Sequence, residues 1–360
     1  MKIERMDSLG CIIHPVYIKK SKPNSPVSSN KKYISRMVKQ DFFLHNEIVL
    51  YQVISNYTSS FYIFEIAEKI TYHKLNTEQY DLSSFTKSLD KSEFYLLKYP
   101  KRTLYSFKEL CNASNYINKS HYIRFLINTY RKLLESIDLL LKNNIVHNQI
   151  CYDTVCIDNH DDALITRFGL SMYTIPSNIN HEYIHPFFTT YDPAYPYWPI
   201  EFHVLSYLLT NKMETISSLH IDQVVEETIS KNKLFARLSS MNNDDGEQYK
   251  IQAKQTTMYL NKYINQPLKY IIEDVFCYKH TWDQYALSAL FLGILLELQE
   301  QERNFIKNQF FISFVQLLEC NIYMVPSKRM SLKHTLECFH KLICETDINI
   351  FREFMDLMNV

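Results

Sequence analysis

Four carboxylates, Asp153, Asp158, Asp161 and Asp162, lie close together near the middle of the 360-residue chain, around the short runs Val155-Cys156-Ile157 and Ala163-Leu164-Ile165. Oxygen ligands of this kind can hold a divalent cation. Cys151, Cys156 and His147 stand in the same stretch. Thiols beside apolar strands read as buried side chains, and His147 reads as a core histidine before an acid or base. The eight cysteines contain no C-x-x-C pair and no histidine at zinc-finger spacing, so reduced thiols are expected and neither a disulfide framework nor a structural zinc. Glycine is scarce: four residues, about 1% against a usual 7% or so. That leaves little material for a glycine-rich phosphate cradle.

The elements that would position these residues fall into two classes. From Ile12 to Tyr99 short strands surround one helix: Gly10 to Ile13, Lys32 to Val38, Phe61 to Ile66 and Glu93 to Lys98, with Asp41 capping a helix that carries Phe43, Ile48, Leu50, Tyr51 and Ile54. Beyond Pro100 the period becomes helical. Ile123, Leu126, Tyr130, Leu133, Leu134, Ile137 and Leu141 recur at three-and-four spacing across His121 to Asn143. After the two β-like runs, Ser171 to Pro199 shows no period and reads as an irregular loop. Helices are expected over Glu201 to Asn211, in several segments from Ile216 to Tyr278, and over Trp282 to Leu298, Phe305 to Leu318 and Ser331 to Cys344. The most linker-like piece is Ser239 to Gln248. A mostly-β front and a mostly-α back predict an α+β chain of two lobes with a cleft between them.

Composition narrows the class further. Hydrophobic residues make up 46% and aromatics 14%, and 39 basic side chains balance 39 acidic ones, which disfavours disorder and polybasic nucleic-acid binding. The N-terminus carries no signal-peptide pattern, and the longest apolar stretch, Ala286 to Leu296, is too short to span a bilayer. An intracellular, cytoplasmic protein without a membrane span is expected.

Ordered motifs point to a family. Ile145-Val146-His147-Asn148-Gln149-Ile150-Cys151-Tyr152-Asp153-Thr154-Val155-Cys156-Ile157 resembles the protein-kinase catalytic loop, I-V-H-R-D-L-K-P-x-N-I-L-I. Arg167-Phe168-Gly169-Leu170 resembles D-F-G-L, and Trp198-Pro199-Ile200-Glu201 resembles the A-P-E region. Asp283-Gln284-Tyr285-Ala286-Leu287 is similar to the start of the family's buried central helix, and Pro326 to Ser331 to the P-x-x-R-x-S before its last helix. In the front half, Leu9-Gly10-Cys11-Ile12 with Pro15 resembles the end of the glycine loop, Tyr33-Ile34-Ser35-Arg36 the V-A-I-K strand, and Glu47 the acidic residue of the small-lobe helix. The G-C-x-x-x-P, Y-x-S-basic and Y-W-P-x-E segments look most like kinase-like proteins of large DNA viruses. The resemblance implies a bilobal fold: a small β-rich lobe over 1–100, a large helical lobe over 101–346 with a helical insertion at about 205–280, and a tail at 347–360.

The same alignment implies that catalysis is lost. The proton-accepting carboxylate is replaced by Gln149, the loop lysine by Cys151, the metal-binding Asn by Thr154 and the D-F-G carboxylate by Arg167, a cation that cannot deprotonate. Gly10, Arg36, Glu47 and Arg167 remain as nucleotide-pocket candidates. His147, Phe168, Gly169, Glu201, Asp283 and Arg329 match structural positions, with Glu201 and Arg329 forming a buried ion pair and Asp283 accepting backbone hydrogen bonds from the catalytic loop. The implied function is a pseudokinase acting as a scaffold or structural component, in host cytoplasm or virion if viral. No metal, cofactor or nucleic acid is expected, and protein partners would meet 171–199 and 205–280. Two readings stay open beside it. One is a divergent kinase using ATP and magnesium, with Asp153, Asp158, Asp161 or Asp162 as replacement carboxylates; the other is a metal-independent nucleotide-binding switch.

Overall fold

A computed structural model describes residues 12–14, 33–39, 41–56, 64, 67, 69–74, 93–100, 104–111, 119–175, 179, 181–242, 247–301 and 308–345. The chain is mixed α and β, mostly helical with small sheets. It divides into two compact units, one of Met1–Tyr105 with Cys156–Leu170 and one of Ser106–Val155 with Ser171–Val360. The stretch around Phe168 therefore groups with the strand-rich front of the chain, although it follows the long helix in sequence.

The first unit is built on a four-stranded antiparallel sheet of order β1-β2-β4-β3, with β1 at Ile12–His14, β2 at Tyr33–Lys39, β3 at Lys69–Lys74 and β4 at Glu93–Pro100. Arg36 and Ile70 both stand opposite Leu97 of β4, and Leu97 and Tyr99, two residues apart on one face, are buried. Helix α1, Phe42–Ser55, starts where Asp41 accepts a 2.7 Å hydrogen bond from the Leu44 amide, as an N-cap does. It buries Leu44, Glu47, Leu50, Tyr51 and Ile54. Strands β5 (Leu104–Ser106), β6 (Val155–Asp158) and β7 (Ala163–Ile165) make a second, three-stranded sheet. The β6–β7 turn is tied by Asp158, whose Oδ1 accepts from the amides of His160 at 2.8 Å and Asp162 at 3.0 Å.

The second unit is helical. Among the described residues its longer helices are α2 (Lys119–Lys142), α3 (Ile200–Thr210), α4 (Ser218–Lys231), α5 (Lys233–Asn242), α6 (Glu247–Leu260), α7 (Leu268–Phe276), α8 (Trp282–Gln301), α9 (Gln309–Asn321) and α10 (Leu332–Glu345). Helix α2 buries the stripe Ile123, Leu126, Tyr130, Leu133, Leu134 and Ile137, while Arg131–Glu135 and Lys142–Asp138 pair at i,i+4 spacing. Tyr130 meets Phe291 of α8, Phe314 of α9 and Phe339 of α10 at ring-centroid distances of 5.0, 5.2 and 4.9 Å, an aromatic centre shared by four helices. Helix α8 is buried almost all round, as its long apolar run, interrupted at Ser288, requires. Its Gln284 Nε2 donates to Asn321 Oδ1 at 2.6 Å and Thr335 Oγ1 at 2.8 Å, so polar groups lock α9 and α10 onto it.

Three readings from sequence are corrected. Ser171 to Pro199 is not a bare loop: Met172–Tyr173 pairs with Ile145–Val146, and His181–Ile184 and His185–Phe188 form helical turns. Ser239 to Gln248 is mostly helix, with α5 running to Asn242 and α6 starting at Glu247; residues 243–246 lie outside the described ones. Strand β3 lies outside the strands that the sequence pattern predicts. Within the expected strand Phe61 to Ile66 only Phe64 is described, and it bridges to Ile165. Among the described residues no helix is long and apolar enough to cross a membrane.

Candidate functional site

In the second unit the site is the loop after α2. The helix ends at Asn143-Asn144, with Asn144 at φ 58, and Ile145–Val146 carries the chain into His147. Asp283, at the start of α8, accepts the His147 amide on Oδ2 and the Asn148 amide on Oδ1, each at 2.7 Å. One buried carboxylate thus fixes two consecutive peptide groups, and Asn148 takes up φ 64, a left-handed conformation that Asn tolerates better than most residues. Burial pushes the Asp283 carboxyl up to about 6, against the two backbone donors that favour its anion. The His147 carbonyl accepts from the Ser171 hydroxyl at 3.1 Å and the Asn148 carbonyl from the Trp198 indole at 3.2 Å.

Thr154 closes the same loop on itself. Its hydroxyl donates to the Gln149 carbonyl at 2.6 Å and accepts from the Cys151 amide at 3.0 Å. The side chain is 1% exposed, so its oxygen faces the loop backbone. Cys151 is buried, Gln149 half-buried and Asp153 exposed. Burial pushes the Tyr195 phenol well up, with Cys151 beside it adding to the effect.

Beneath this loop Glu201 and Arg329 form a fully buried bidentate ion pair, Nη1 to Oε1 at 2.5 Å and Nη2 to Oε2 at 2.8 Å. Every edge of the pair is satisfied further. Trp282 Nε1 donates to Glu201 at 2.9 Å, and Arg329 donates to the Tyr323 carbonyl at 2.8 Å and to Thr281 Oγ1 at 3.1 Å. The Tyr-rich segment is packed around the same place: Trp198 stacks on Phe202 at 4.5 Å, and Phe202 meets Phe188 at 4.2 Å.

In the first unit the residues 167–170 pack against α1. The Phe168 ring is fully buried, edge-on to Tyr51 at 6.1 Å and Phe64 at 5.7 Å. Asn46 Nδ2 donates to the Gly169 carbonyl at 3.0 Å. Glu47 is buried and accepts the Tyr51 hydroxyl at 2.5 Å, and Tyr51 and Tyr99 touch through their hydroxyls at 3.2 Å. Arg167, half-buried, stands at φ 64, a conformation that is uncommon for a long side chain.

The sequence-derived residues thus fall in two groups. His147, Gln149, Cys151, Thr154, Glu201, Asp283 and Arg329 belong to the second unit, and Arg36, Glu47, Arg167, Phe168 and Gly169 to the first. Gly10 lies outside the described residues. Of the carboxylates weighed as metal ligands, Asp153 is in the second unit and Asp158, Asp161 and Asp162 in the first, where Asp158 is engaged by its own turn. Among the described residues no three His, Cys, Asp or Glu side chains are grouped to hold a metal ion. Sequence reasoning missed Asn46, Tyr51, Trp198 and Trp282 as partners of the site. Trp198 and Trp282 had a signal available: they are the chain's two tryptophans, and each borders a motif. In comparison with known proteins, no family model matches the chain and no curated protein does.

Proposed function

We propose that the chain is a protein-kinase-like scaffold, a bilobal pseudokinase whose loop architecture is kept and whose phosphoryl-transfer groups are replaced. The observation that carries the reading is Thr154. At the position that would supply an amide ligand to magnesium, its only side-chain oxygen is buried and bonded to Gln149 and Cys151 of its own loop. The loop is held from below by Asp283 with the care a catalytic loop needs, yet Gln149 offers no carboxylate to accept a substrate proton and Arg167 brings a permanent cation where a metal would need an anion.

What remains is a body suited to binding. The insertion exposes Leu219 on α4, Ile251 and Met258 two turns apart on α6, and Tyr270 on α7, and these are the side chains that the proposed scaffold offers to a partner. These residues and the 171–199 segment are the surfaces to which partners are assigned. Within the viral likeness such partners would belong to a virion or its assembly site.

Thermal unfolding of the full chain with ATP, with and without magnesium or manganese, tests the reading. A ligand at a hundred times its dissociation constant adds about 2.7 kcal/mol, so binding is easily seen. The expected result is no shift under either condition. A metal-independent shift replaces the scaffold with a nucleotide-binding switch, and a metal-dependent shift with transfer of the terminal phosphate replaces it with an active kinase.

A further inference from the structure

Helices α9 and α10 carry a group of side chains that the proposed scaffold does not use. On the outer face of α10, His334, Glu337 and Cys338 fall at i, i+3 and i+4, one above another. The Cys338 sulfur lies 3.6 Å from His334 Nε2 and 4.0 Å from Nδ1. His334 Nδ1 is in turn 3.6 Å from Glu337 Oε2, a carboxylate that Lys333 approaches on its other oxygen at 3.9 Å. A thiol, an imidazole and a carboxylate in that order form the arrangement of an activated nucleophile: a base to take the proton and an anion to hold the resulting imidazolium. Cys338 is half-buried, while His334 and Glu337 are exposed, so small reagents can reach the sulfur.

A second thiol, Cys320, is on the helix α9 that packs against α10. Thr335 Oγ1 donates to Asn321 Oδ1 at 2.8 Å, which clamps α10 to α9 one residue after Cys320 and one turn before Cys338. Burial first, then the neighbouring Glu319 and Cys338, push the Cys320 thiol up. Both cysteines are free.

We propose that Cys338 is a reactive thiol, open to oxidation by hydrogen peroxide, with His334 as its base and Cys320 as the thiol that resolves the product. His334 takes the Cys338 proton, and the sulfur attacks a peroxide oxygen. An S–O bond forms as the O–O bond breaks, and the departing hydroxide leaves as water with the proton that His334 held. Sulfur is oxidised to the sulfenic acid and the peroxide reduced. The Cys320 sulfur then attacks that of Cys338, an S–S bond replaces the S–O bond, and a second water leaves with the Cys320 proton.

The test uses the full chain and two internal references, the exposed thiols Cys277 and Cys344. Under limiting iodoacetamide at neutral pH, peptide mass spectrometry is expected to find Cys338 alkylated about fivefold faster than either reference. His334→Gln should bring it down to their rate and leave theirs unchanged. Hydrogen peroxide should give a Cys320–Cys338 disulfide, and in Cys320→Ser a sulfenic acid at Cys338 that dimedone traps. His334 and Cys320 are exposed, and an unchanged melting temperature verifies that each variant folds. Equal alkylation of all three thiols, or a Cys338 rate indifferent to His334→Gln, overturns the reactive thiol. A sulfenic acid that persists at Cys338 while Cys320 is present overturns the resolving role.

Discussion

Arg329 and Glu201 show what single residues do here. A buried ion pair gains little overall because both charges leave water, but deleting one member strands the other at a cost of about 3–5 kcal/mol. In this pair the guanidinium is further engaged by the Tyr323 carbonyl and Thr281, and the carboxylate by Trp282. Arg329→Met and Glu201→Gln should each lower the unfolding free energy by about 3–5 kcal/mol. The double variant should lose less than the sum, with a coupling on the order of 1–3 kcal/mol in urea denaturation. Additive losses would show the two side chains to be independent. The pair itself was legible in sequence, because an acid and an arginine each sit in a recognisable motif. Its backbone partners were not, since a carbonyl such as that of Tyr323 leaves no trace in residue types.

At the scale of elements, the first unit depends on how residues 167–170 meet α1. Phe168 supplies a buried ring between Tyr51 and Phe64, and Gly169 lies where an added Cβ would stand 3.4 Å from Phe43 Cβ and from its carbonyl oxygen. Phe168→Ala should therefore cost about 3–5 kcal/mol. Gly169→Ala needs only a small adjustment of Phe43 and should cost less than about 1 kcal/mol. Chemical denaturation distinguishes the two, and a loss at Gly169→Ala as large as at Phe168→Ala would contradict the packing described. Long elements were the ones the sequence revealed: α1 through its Asp41 cap, and α2 through seven apolar positions on one stripe. Short ones escaped. Strand β3, Lys-Ile-Thr-Tyr-His-Lys, offers two apolar side chains in six residues, and the elements within Ser171 to Pro199 are two to four residues long, too short for a period. Ser239 to Gln248 misleads for the opposite reason: its turn-forming residues suggest a linker, while helix runs to Asn242 on one side and starts at Glu247 on the other.

At the scale of the whole molecule, two buried titrating groups give the fold an acid response of opposite sign. Asp283 is raised in the folded chain to about 6, mainly by burial. Unfolded it titrates near 4, so the folded state holds the proton longer; this contribution is full below pH 4 or so and is lost as pH rises through about 6. His203, fully buried on α3, is lowered to about 4 by the same cause. Unfolded it titrates near 6.5, so its contribution is full above about pH 6.5 and is lost as pH falls through about 4. Each shift corresponds to roughly 2–4 kcal/mol, and across pH 4–6 the two nearly cancel. Replacing one should expose the other. Relative to the unsubstituted chain, Asp283→Asn should become progressively less stable as pH falls from 6 to 4, and His203→Leu progressively more stable over the same interval. Differences between variant and parent remove the carboxylates common to both, so urea midpoints taken at half-unit pH steps suffice. Difference curves that stay flat for both variants would mean that neither side chain changes its proton affinity on folding, and that the two amides of the His147 loop are held by a carboxylate solvated far better than its surroundings imply.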